Sequence, residues 1–151
     1  MRITGLSSPK QFALAIGLLA LSARGAAPET PYTRIAKLAS SISEGEPVGA
    51  LEAFDKTMPR YQAIAENLQA LAAQDQVLCS IDVVEDKESD NPAADTHHLD
   101  LDWYMTVKLI ADPAHNESRR KRVQVTVHRE KGTWRIVSFA PEAILDPLIL
   151  K

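Results

Sequence analysis

The chain holds one cysteine, Cys79, in 151 residues. That excludes an intramolecular disulfide and any multi-cysteine metal site. It also has no apolar run near the ~20 residues that a helix needs to span a bilayer. Hydrophobic residues make up 45%, too many for a disordered chain. Acids are missing from Met1–Gln11, where Arg2 and Lys10 stand. The length suits one domain, not two.

The first residues read as an address. After the basic start comes Phe12–Ala23, short and apolar, and then small residues at Gly25, Ala26 and Ala27. Positive start, short apolar stretch and small-residue exit describe a secretory signal peptide over 1–26. A single domain over 27–151 would follow, in a periplasmic or secreted protein. Cleavage removes Arg2, Lys10 and Arg24, leaving 14 basic residues (17 − 3) against 20 acidic, a net −6. A chain this acidic is a poor nucleic-acid binder, and no membrane contact is expected once the leader is cut.

Three amphipathic helices are expected first. Thr30-Pro31 opens one, as N-cap and first-turn proline, with Tyr32, Ile35, Leu38, Ala39 and Ile42 on one face and Gly45 as its stop. Pro47 opens a short second helix bearing Val48, Leu51 and Phe54. The third carries Tyr61, Ile64, Leu68, Leu71 and Ala72.

From Gln76 the period changes to two. Val77, Cys79, Ile81 and Val83 alternate with partly polar neighbours, as do Leu99–Leu109 and Val123–Val127, while Thr133–Ala140 is apolar on both faces. Alternation of this kind predicts an antiparallel sheet with one buried face. Loop centres place Ile81 opposite Leu101, Cys79 opposite Trp103, Trp103 opposite Val127 and Met105 opposite Val125. A two-residue turn at Lys131-Gly132 pairs Val127 with Ile136. Every apolar set then shares one face, an agreement that a one-residue slip destroys. The apolar end, Pro141–Leu150, is expected to close an open end of the structure.

Three helices before a curved antiparallel meander is the order of the NTF2-like fold (nuclear transport factor 2-like, also SnoaL-like or cystatin-like), an α+β cone. FDKTMPRY (Phe54–Tyr61), VLCSIDVVEDK (Val77–Lys87), LDLDWYMTVK (Leu99–Lys108), RRKRVQVTV (Arg119–Val127) and TWRIVSFAPEAI (Thr133–Ile144) resemble an exported bacterial branch of that superfamily. The resemblance implies three helices on a sheet of about four strands. It leaves activity open, because the fold hosts enzymes, ligand binders and interaction modules.

Enzymes of this resemblance keep an Asp or His base and a Tyr donor inside the cone. The inward positions deduced from alternation include Cys79, Leu101, Trp103, Met105, Val125 and Ile136, with no acid or histidine among them. Catalytic and cofactor-binding residues are therefore not expected. A small apolar pocket is expected at Tyr61, Trp103 and Met105. Asp95, His97, His98, Asp100 and Asp102 form an acid and histidine cluster. Its row His98, Asp100, Asp102 faces outward, which favours a solvated face over a metal site. The run Arg119–Arg122 reads as a solvated strand end with no acidic neighbour. Tyr104, Val137 and Phe139 make an apolar stripe on the outer face, expected to join two copies as a homodimer. The expectation is an exported, non-catalytic binding or protein-interaction module. The alternative is a small-molecule isomerase, dehydratase or hydrolase of the same fold.

Overall fold

The computed structural model describes residues 27–148. The expected leader, 1–26, and the last three residues lie outside that range. Among the described residues no helix is long and apolar enough to cross a membrane.

Helix α1 spans Pro31–Ser43. Thr30 caps it: its hydroxyl accepts from Thr33 N at 3.1 Å, and Thr33 Oγ1 accepts from Thr30 N at 2.9 Å. Two otherwise orphaned donors are thus satisfied. Gly45, at φ 69°, ends the segment in the left-handed region where glycine carries no steric penalty. Helix α2 is Pro47–Leu51, and α3 is Tyr61–Gln74. The helices bury Ile35, Leu38 and Ile42 of α1 and Ile64, Leu68 and Leu71 of α3. Val48, expected on a buried face, is 74% exposed. A five-residue helix makes barely one turn, so only Ala50 of α2 is buried.

Four strands follow in the order β1-β2-β3-β4, antiparallel throughout: Asp75–Asp86, Thr96–Leu109, Asn116–Glu130 and Thr133–Ala140. The helices cover one sheet face, over Leu99, Leu101, Trp103, Met105, Val123, Val125, Val127 and Ile136. Glu142–Leu145 forms a 3-10 turn whose Ile144 and Leu145 join this core. Each sheet edge is met at one point by a preceding segment. Ser43 Oγ accepts from Cys79 N at 2.9 Å on β1. On β4, Asp55 N donates to Ile136 O at 2.9 Å and Ile136 N donates to Ala53 O at 2.7 Å. Such cover removes free donors and acceptors that would pair with another chain.

The expected faces hold, but two registers move by even steps. Ile81 faces Trp103 and Cys79 faces Met105. Between β2 and β3 the slip is larger: Val125 faces Leu99 and Val123 faces Leu101. The cause is the polar run Asn116–Ser118, which reads as loop but forms strand. The turn therefore lies earlier in the chain. Even slips keep each residue on its face. The Lys131-Gly132 turn has both residues at positive φ, 52° and 80°, and pairs Val127 with Ile136 as expected.

Two β-bulges change faces. One lies between Val83 and Glu85 in β1. The other offsets β4 beyond Ile136, where Thr126 pairs with Ser138. An inserted residue reverses the alternation beyond it. Asp86 and Phe139 consequently turn inward. Phe139, expected on the outer stripe, is buried and packs edge-on against Trp103 and Phe54, at 5.4 and 5.6 Å between centroids.

Candidate functional site

The end of the sheet at the β1–β2 loop holds a polar cluster inside the fold. His97 lies two residues before Leu99 and shares its inward face; its side chain is 2% exposed. Asp86, turned inward by the β1 bulge, is 5% exposed and meets it. His97 Nδ1 lies 2.8 Å from Asp86 Oδ2 and 3.0 Å from Oδ1. Tyr32, in the first turn of α1, donates its hydroxyl to Asp86 Oδ2. Glu88 N donates to Asp86 Oδ1 at 2.9 Å. Burial alone would push the Asp86 carboxyl up; hydrogen bonds from Tyr32, His97 and Glu88 N outweigh it and hold it below the usual range. The hydrogen bond to Asp86, then burial and the Asp86 charge, raise the Tyr32 hydroxyl above its ordinary value.

Glu88 continues the cluster toward the surface. Its Oε2 accepts from His98 N and its Oε1 meets His98 Nδ1, both at 2.6 Å. These bonds hold the Glu88 carboxyl below its usual value. One ligand-type atom from each of Asp86, Glu88 and His97 lies within 4.8 Å of the other two. Behind His97, the Trp134 ring stands edge to face at 5.3 Å and 80°. Trp134 Nε1 donates to Glu29 O at 3.2 Å, and the Arg129 guanidinium lies 5.3 Å from the ring centroid. His97 Nε2 is buried with no hydrogen-bond partner among the described residues.

This cluster corrects the expectation that no acid or histidine points inward. His97 was legible, since it shares parity with Leu99. Asp86 was not, since only the bulge turns it. The outward row is also rearranged. Asp102 pairs with Arg120, Nη2 to Oδ2 at 2.6 Å, and sits opposite Arg122. Asp82 faces Asp102. The basic run thus has acidic neighbours after all, because the β2–β3 register moved. Arg120 hydrogen bonding and charge hold the Asp102 carboxyl down.

The structure does not gather Tyr61, Trp103 and Met105 around one cavity. Trp103 and Met105 are fully buried. Tyr61 lines a surface cleft of about 630 Å³ with Val48, Leu51, Phe54 and Arg135. Trp103 Nε1 lacks a nitrogen or oxygen partner among the described residues, its polar neighbour being the Cys79 thiol. Burial pushes that thiol up to about 12 against a smaller effect of the indole. On the outer face, Leu78 (68%) and Tyr104 (43%) are exposed, and Val137 is half-buried.

No protein-family model and no curated protein matches the chain. Solved structures do. A conserved protein from Planctomyces limnophilus superimposes with a TM-score of 0.62 at 7% identity, over 72% of this chain and 88% of that one. A nuclear transport factor 2-like superfamily protein from Salmonella enterica serovar Typhimurium does so with a TM-score of 0.54 at 14% identity, over 79% and 89%. Three helices on one face of a four-stranded antiparallel sheet, matched over most of these chains, show that this chain has the NTF2-like fold.

Proposed function

We propose that the protein is an exported, non-catalytic NTF2-like interaction module that pairs with a second copy through its outer sheet face. The observation that carries this reading is the filled cone. Trp103, Phe139 and Phe54 interlock edge to face, with Met105 fully buried on the same sheet face. Close-packed aromatic rings occupy the space in which a substrate would have to sit. What remains for recognition is the outside.

The outer face supports self-pairing through charge as well as apolar contact. Asp82, Asp100 and Asp102 lie on β1 and β2, while Arg120 and Arg122 lie on β3. A two-fold axis along β2 would set Asp82 of one copy over Arg122 of the other, with Tyr104 beside the axis, while Asp102 and Arg120 pair within each copy. An isologous interface requires such self-complementarity. Sedimentation equilibrium at tens of micromolar is expected to give a dimer, and Tyr104→Glu a folded monomer. A monomeric parent protein overturns the homodimer. Export rests on residues 1–26, and fractionation with N-terminal sequencing of the mature chain tests it; a cytoplasmic protein retaining Met1 overturns it.

A further inference from the structure

We propose that Asp86, Glu88 and His97 form a binding site for a first-row divalent cation such as zinc. Two carboxylates and an imidazole are the donor types that such ions take. Their donor atoms already converge within 4.8 Å. Around zinc, with ligands at about 2.0–2.2 Å, those atoms would stand roughly 3.4 Å apart. The movement required is small, and the Glu88 side chain, 25% exposed, can supply it.

The site is built into the fold. The β1 bulge turns Asp86 onto the inward face, where β2 presents His97. Both side chains are at least nine-tenths buried. Each carboxylate is also oriented from outside the donor set: Tyr32 donates to Asp86, and His98 N donates to Glu88 at 2.6 Å. Such outer partners orient ligands and tune their affinity for the ion. His98 Nδ1, 2.6 Å from Glu88 Oε1, steadies the Glu88 carboxylate from the solvent side. The exposed flank of Glu88 and His98 gives the ion its way in.

His97 Nδ1 faces the Asp86 carboxylate at 2.8 and 3.0 Å, and a bound ion would take the place of that hydrogen bond. Coordination needs Nδ1 unprotonated, so a neutral imidazole carries its proton on Nε2. Neither tautomer has a partner for Nε2 among the described residues, so the change breaks no bond there.

Calorimetric titration of untagged protein with ZnCl2 at pH 7.5 is expected to show one ion per chain with a micromolar or lower Kd. Cobalt in its place is expected to give visible absorption bands of a low-coordinate site. Asp86→Asn, Glu88→Gln and His97→Gln should each weaken binding at least 10-fold, and Tyr32→Phe less. The Glu88 side chain is a quarter exposed, so Glu88→Gln should keep the parent's circular dichroism and a cooperative urea transition, which separates lost binding from lost folding. Absence of saturable binding up to 1 mM zinc overturns the site, as does unchanged affinity in folded Glu88→Gln.

Discussion

Asp75 shows how burial and hydrogen bonding compete at one residue. It begins β1, is 5% exposed, and its Oδ2 accepts from Leu148 N at 3.2 Å. Burial raises its carboxyl pKa, opposed by the Leu148 bond and by Arg119 and His115. A raised native pKa favours the folded state at low pH. That advantage is lost as pH climbs through the raised value. Asp75→Asn carries no such titration. Urea unfolding should therefore show the variant gaining on the parent as pH rises from 3 to 7.5; a constant gap contradicts this. Asp75→Ala leaves Leu148 N without an acceptor and should cost about 1–3 kcal/mol. Cys79 is predicted to be inert for a related reason. With its thiol at about 12, the reactive thiolate is scarce at pH 8. Thiol-disulfide reagents should react slowly with native protein and fully in urea.

At the scale of elements, the two bulges matter most. Alternation along β4 assigns Phe139 to the outside, whereas the bulge buries it against Trp103 and Phe54. Phe139→Ala should then cost about 3–5 kcal/mol in urea unfolding. A cost near zero would place the ring back on the surface. Val48 is the converse. Its position after Pro47 looks like the buried face of a helix, yet it is exposed. Val48→Ala should change stability by no more than about 0.5 kcal/mol. Both residues show why local pattern falls short. Period identifies an element and its faces, but a bulge or a one-turn helix depends on what packs against it.

For the whole molecule, the proposed pairing through the outer face carries a salt dependence. If opposite charges meet across a two-fold axis, salt should weaken the dimer. At 1 M ionic strength screening acts within about 3 Å. The dimer Kd is expected to rise between 0.05 and 1 M NaCl, with Tyr104 and Leu78 retaining part of the affinity. An unchanged Kd would leave apolar contact as the sole bond. The single cysteine, the capped first helix, the order of elements and the face of most strand residues were legible in the chain. Each depends on neighbours within a few residues or on a period that survives even register slips. Tertiary structure alone decided how far β3 slides along β2, and so that Asp102 meets Arg120. It also decided that one extra residue in β1 brings Asp86 to His97. Those outcomes depend on residues distant in sequence sharing one packed surface, which no local spacing records.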